Sequence, residues 1–230
     1  MLPTGTYTAD RAAALSGVPL STVRWWAERD ILVPSVSRTR VMLWSYSDLM
    51  ELRAIYWLRQ PKVGKDERDV PATTMNAVRR ARRKLDELDV GLWTEDGGPS
   101  VRVDYGGNVW IAGDGSALER ADDGQAMLMG EGDSAPVFDV LAPFETHHAK
   151  GPDLRCPRPQ LRIVPGKLGG SPHIERTRVE SQTVGALVTS GLPTAKIYRL
   201  YPELEPSTID QAIDLELQLE GNLGRQLRAA

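Results

Sequence analysis

The sequence predicts an α+β chain of three modules: a helical head with a short β wing, a small central antiparallel β-module, and a helical tail. Three observations carry that expectation. Apolar residues recur at helical spacing before residue 90 and again after residue 180. Between residues 101 and 111 they alternate with polar ones around Gly106-Gly107, which is a hairpin signal. Charge divides the same way. Residues 1–90 hold 15 Lys+Arg and 11 Asp+Glu (+4), residues 91–150 hold 3 and 11 (−8), and residues 151–230 hold 10 and 9 (+1). The overall −3 therefore conceals a basic head, an acidic middle and a balanced tail. The modules are expected at 1–90, 91–150 and 151–230.

In the head, Thr8 is placed to cap a first helix that Gly17-Val18-Pro19 stops. Ser21 is placed to cap a second helix, Thr22 to Arg29, with Val23 and Ala27 on one face. Ile31-Leu32-Val33-Pro34 ends that pair. Ser35 to Trp44 mixes β-branched and basic residues, as a two-stranded wing does. Ser47 opens a third helix with Leu49, Leu52, Ile55 and Leu58 as its buried stripe. Pro61 to Pro71 is polar, carries Gly64 and is read as a loop. A fourth helix is expected from about Ala72 to Leu88, with Met75, Val78, Ala81, Leu85 and Leu88 on one side. Arg79, Arg80, Arg82, Arg83 and Lys84 fill its other sides, as a solvated face or as a stripe flanking DNA.

In the middle module, Val101, Val103 and Tyr105 face Val109 and Ile111 across the hairpin, with further strands at Gln125–Met129 and Val137–Leu141. Thr146 to Pro159, with His147-His148, Gly151 and three prolines, reads as a linker. His173 to Arg178 then alternate as an extended arm does. Helices follow at Thr183–Ser190, at Thr194–Leu200 with Thr194 as its cap, and from Pro206 to about Leu219. Ile209, Ala212, Ile213 and Leu217 are the expected apolar face of the last.

Two short helices joined by a glycine turn and followed by a wing form a winged helix-turn-helix, whose second helix fits a major groove about 12 Å wide. Ser21, Thr22, Arg24 and Trp25 are its candidate DNA contacts, with Arg38 and Arg40 in the wing meeting backbone or minor groove. These residues resemble the MerR family. Tyr7-Thr8, Ser16-Gly17-Val18, Val23-Arg24-Trp25-Trp26, Ile31-Leu32-Val33-Pro34 and Tyr46-Ser47-Asp48-Leu49 fall at that family's spacing across about residues 6–60. The resemblance implies that Arg24 and Trp25 touch the DNA backbone. It departs at Trp25-Trp26, where the family has tyrosines, and at Pro61, Gly64 and Pro71, which interrupt the family's long dimerising helix.

In the tail, Gly170, Pro172, Ile174, Thr177-Arg178-Val179, Gly191 and Tyr201-Pro202-Glu203-Leu204 fall in register over about residues 160–220. They are similar to the family catalogued as domain of unknown function 433, and the tail is expected to be a helical, helix-turn-helix-like module. Members of that family resemble VapB-type antitoxins encoded beside PIN-like RNase toxins. The resemblance implies a nuclease partner and an antitoxin that represses its own operon. Such a nuclease holds Mg²⁺ among carboxylates, and a cationic tail can occupy that pocket. Leu223, Arg225, Leu227 and Arg228 are the candidate toxin-binding residues.

Enzyme chemistry is not expected. No phosphate loop, zinc-protease helix or nucleophile elbow occurs, and His173 has no assignable nucleophile. The lone Cys156 excludes an internal disulfide and a multi-cysteine metal site. No cofactor or metal is expected, no apolar run reaches membrane-spanning length, and no leader is indicated, so a cytoplasmic location follows. The expected assembly is a homodimer joined through tail helices and seated on operator DNA. Two alternatives stay open: a MerR-like transcription factor sensing an organic ligand in the β-module, and an adaptor that binds only protein.

Overall fold

The computed structural model describes residues 5–63, 67–87, 100–112, 117–121, 126–128, 137–145 and 149–224. In chain order the head contains β1 (Tyr7–Thr8), α1 (Ala9–Ser16), α2 (Leu20–Glu28), β2 (Leu43–Trp44) and α3 (Tyr46–Arg59). Next come β3 (Lys62–Val63), β4 (Asp69–Val70) and α4 (Met75–Glu87). The middle holds β5 (Ser100–Val103), β6 (Val109–Ala112), β7 (Ala117–Arg120), β8 (Ala126–Leu128), β9 (Val137–Asp139), β10 (Phe144–Glu145) and β11 (Lys150–Gly151). The tail has β12 (Leu161–Arg162), a short 3₁₀ turn at Leu168–Gly170, β13 (His173–Ile174), α5 (Ser181–Thr189), α6 (Thr194–Leu200) and α7 (Pro206–Asn222). The α+β class is as expected.

The chain packs as two units that do not follow the three segments expected from sequence. One comprises residues 1–49 with 142–230; the other is Met50–Leu141. The first unit therefore joins the head to the tail. Tyr7 and Tyr46 are both buried, and each phenol donates to a tail carbonyl: Tyr7 Oη to Gly170 O at 2.8 Å and Tyr46 Oη to Leu154 O at 2.6 Å. A buried tyrosine hydroxyl needs such a partner, so each ring is fixed at both ends. Burial pushes the Tyr7 phenol well above its ordinary pKa, against the smaller opposing pull of Arg11.

Several expectations change here. Leu43 makes only a single bridge to Ser37, and the regular strand β2 pairs instead with β1, Tyr7 opposite Trp44 and Thr8 opposite Leu43. The wing is short because Arg40 turns the chain with a left-handed φ of 57°. α3 begins at Tyr46, not Ser47, because Ser45 and Asp48 cap it reciprocally: Ser45 N donates to Asp48 Oδ2 at 2.7 Å and Asp48 N to Ser45 Oγ at 3.1 Å. The described part of the expected linker is packed, with β11 paired to β10 and Leu154 fully buried. His147 and His148 lie outside the described residues.

Of the expected extended arm only His173–Ile174 is strand, paired with β12 so that His173 is buried, and Arg176 then turns the chain with a φ of 61°. Burial lowers the imidazole's pKa, although its ring nitrogen donates to Ser171 O at 3.1 Å. Ser21 and Thr194 are not caps, since Pro19 and Pro193 hold those positions with no side-chain bond. In α7 the inward face is Ile209, Ala212, Leu215 and Leu219, whereas Leu217 is 37% exposed.

The second unit centres on an antiparallel sheet of order β8-β7-β6-β5-β9. The hairpin register is as the alternation predicts, Val101 opposite Ile111 and Val103 opposite Val109. Asp104 closes its turn by accepting from Gly106 N and Asn108 N, each at 2.9 Å. Burial pushes that carboxyl's pKa up, but hydrogen bonds from Trp110 and Asn108, with those from the turn amides, outweigh it and hold the pKa low. Pro61 to Pro71, expected as a loop, contains the β3–β4 pairing, while residues 64–66 lie outside the described residues. Arg53 is fully buried and reaches the carbonyls of Val140 and Leu141. Trp57 stacks on Phe138 at 4.9 Å, and Lys62 Nζ sits 4.4 Å from the Trp57 ring centre.

Candidate nucleic-acid interface

The helix-turn-helix is built by local rules. Thr8 Oγ1 accepts from Arg11 N at 3.3 Å, capping α1. Gly17 ends it with a left-handed φ of 72°. A Cβ at Gly17 would lie 2.7 Å from the backbone nitrogen of Gly151, so only glycine permits both the turn and the close approach. Pro19 then sets the entry to α2 with φ −53° and ψ 134°. Val23 and Trp26 bury the inner face of α2 at 0% and 5% exposure.

That packing leaves Ser21, Arg24 and Trp25 outward, with Thr22 half-buried. Trp25 is half exposed on a helix whose other tryptophan is buried. Arg24 Nη2 donates to Asp10 Oδ1 at 3.0 Å across the turn, and Arg38 Nη2 donates to Asp30 Oδ1 at 2.9 Å. Both pairs are solvent-exposed and therefore weak, about 0–1 kcal/mol, so a phosphate can replace either carboxylate. Arg40 is exposed at the wing's left-handed turn. Sequence reasoning singles out these arginines but misses the two aspartates that hold them. It also misses Arg29, exposed at the end of α2. In the second unit Arg79 and Arg83 are exposed on α4, and Arg82's side chain lies outside the described residues.

A buried polar network ties this head to the tail. Arg11 Nη1 and Nη2 donate to Glu216 Oε2 and Oε1 at 2.7 and 2.8 Å, and Ser181 Oγ donates to Glu216 Oε1 at 2.5 Å. The bidentate guanidinium and the hydroxyl satisfy a carboxylate that is almost wholly buried. Gly185 lets α5 approach, since a Cβ there would lie 2.9 Å from Cβ and Cγ of Glu216. Beside this contact a groove of about 410 Å³ opens between α5 and α7, lined in part by Gln182, Thr189 and Glu220.

The end of α7 is anchored too: Asn222 Nδ2 donates to Ala14 O at 2.8 Å and to Lys150 O at 2.9 Å. Of the predicted toxin-binding residues, Leu223 is half-buried just after α7. Arg225, Leu227 and Arg228 lie outside the described residues. Among those described, no helix is long and apolar enough to cross a membrane.

Residues 7–64 match the family model described as MerR HTH family regulatory protein. Residues 162–214 match the one described as protein of unknown function, DUF433. No curated protein and no solved structure matches the chain. The chain thus carries a MerR-type helix-turn-helix, the DNA-binding module of transcription regulators, at its head and a DUF433 domain in its tail.

Proposed function

We propose that this protein is a cytoplasmic, non-enzymatic antitoxin that represses its own operon and neutralises a PIN-like RNase. The observation that carries the DNA half is the outward face of α2, where Ser21, Arg24 and Trp25 stand clear of a packed core on a MerR-type module. Arg24 and Arg38 exchange their exposed carboxylate partners for phosphates, and Ser21 and Thr22 sit in the first turn, where base edges are met. Two copies, joined through tail helices, place two such faces on half-sites one or more helical turns apart.

The toxin half rests on the sequence beyond α7. Leu223 and Leu227 flank Arg225 there, and Arg228 follows. A guanidinium suits a nuclease's metal-binding carboxylates, because it can take two oxygens at once and needs no metal. In this reading the residues that follow α7 serve as the toxin-binding arm.

The test separates the halves. Arg24→Ala should weaken binding to the DNA upstream of its own reading frame while leaving inhibition of the co-purified nuclease intact. Deleting residues 225–230 should do the reverse. Inhibition that survives the deletion rejects the arm, and DNA binding that survives Arg24→Ala rejects the assigned face. The ligand-sensing alternative places an organic ligand in the β-module. It requires an organic ligand to change DNA affinity without any nuclease present.

A further inference from the structure

The turn that shapes the head's reading helix occurs twice. Ser16-Gly17-Val18-Pro19 precedes α2, and Ser190-Gly191-Leu192-Pro193 precedes α6. The conformations agree as well as the letters. Gly17 and Gly191 are both left-handed, at φ 72° and 81°. Pro19 and Pro193 hold nearly the same angles, −53°/134° and −58°/139°. Each proline carbonyl accepts from the amide four residues on, Val23 N at 3.0 Å and Ile197 N at 3.2 Å. Those two residues are the fully buried anchors of their helices.

The correspondence extends into the first helices. Counting back six residues from each glycine reaches Arg11 on α1 and Gly185 on α5. Both meet the same side chain. Arg11 grips the Glu216 carboxylate, and Gly185 lies against its Cβ and Cγ. α1 and α5 each pack on α7, so one helix supports two copies of the same helix-turn-helix.

We infer that α5–α6 is a second DNA-binding helix-turn-helix, and that the solvent face of α6, with Lys196 and Arg199, contacts duplex DNA. The positions match: Lys196 stands where α2 has Thr22, and Arg199 where α2 has Trp25. Thr194, Lys196 and Arg199 are exposed, and neither cation makes an ion pair with a described residue. From Ser181 to Leu200 there is no acidic residue, so the net +2 of this segment suits a polyanion. Tyr198, at the position of Arg24, is tethered by its hydroxyl to Asp210 at 2.6 Å, much as Arg24 is tethered to Asp10. One chain then carries two reading helices, and the tail binds DNA in addition to any protein held by its terminal arm. This goes beyond the proposed function, and it rests on that proposal only in taking DNA as the head's ligand.

The test compares the full chain with Lys196→Ala/Arg199→Ala and with Arg24→Ala, on the DNA upstream of its own reading frame across a salt series. The double variant should shorten the hydroxyl-radical footprint and reduce the slope of log K against log[salt] by about 2, at roughly 0.9 for each phosphate no longer neutralised. Its thermal melt should match that of the wild type, because both side chains are exposed. If Arg24→Ala weakens binding while the double variant keeps the wild-type slope and footprint, this inference fails and the head assignment stands. If the double variant keeps DNA but loses a protein partner, α6 is a protein-binding face and the inference also fails. A wild-type chain that binds no DNA overturns both readings.

Discussion

At the residue scale, the Glu216 carboxylate accepts three hydrogen bonds in the first unit, two from Arg11 and one from Ser181. It sits almost wholly buried between Arg11 and Ser181. Removing one member of a buried ion pair leaves the other charge unpaired, which costs about 3 kcal/mol or more. Glu216→Ala should lower the denaturant midpoint accordingly. Arg11→Ala/Glu216→Ala should cost less than the sum of its parts, since no charge is then stranded. Additive losses would show that the pair is not coupled. Lys62 supplies a pH test in the second unit. Burial lowers its pKa from 10.5 to about 8, beside the Trp57 ring. Between about pH 8 and pH 10 the unfolded chain therefore binds more protons than the folded one, so stability should rise with pH across that window. Lys62→Met should abolish the rise in urea melts, and a rise that persists assigns it elsewhere. Neither Glu216's partners nor Arg24's were legible in the sequence, because Arg11 and Glu216 meet only in the folded chain and Asp10 meets Arg24 only across the turn.

At the element scale, what could be read in advance was whatever is fixed locally. Thr8, Gly17 and Pro19 set the first turn by backbone preference, and Gly106-Gly107 set the β5–β6 register. The wing misled because β2 finds its partner in β1, near the start of the chain, rather than in the adjacent strand. α7 misled because Ile213, Leu215, Leu217 and Leu219 alternate, so helical periodicity alone left more than one possible face. Packing against α5 selects the face that carries Leu215, Glu216 and Leu219. Gly185→Ala tests that contact. Alanine favours a helix over glycine by about 1 kcal/mol, but the added methyl would meet Glu216 at 2.9 Å, and overpacking of this kind costs about 1–3 kcal/mol. The variant should be net destabilised in a thermal melt. A stabilised variant would mean that α5 and α7 yield readily.

At the scale of the whole molecule, the charge split by segment set a basic head apart, yet segment boundaries did not locate the packing units. The head's core includes tail residues: Gly17 turns against Gly151, Tyr7 bonds Gly170, and Asn222 bonds Ala14. A fragment of residues 1–90 should therefore lose cooperative unfolding by circular dichroism, and a fragment that melts like the full chain would contradict this packing. The same union brings the helix-turn-helix and the DUF433 domain into one packed unit, so the proposed partner binding at the tail and operator binding at the head would belong to a single structure. On the proposed function, this unit binds DNA through exposed arginines. The most direct measurement is the affinity of the full chain for the DNA upstream of its own reading frame, followed across ionic strength. Phosphate-clamping arginines predict a linear fall of log K with log[salt], at about 0.9 per neutralised phosphate, and a shallower slope in Arg24→Ala. Binding that is flat in salt, or no binding at low salt, would show that these arginines do not clamp phosphates.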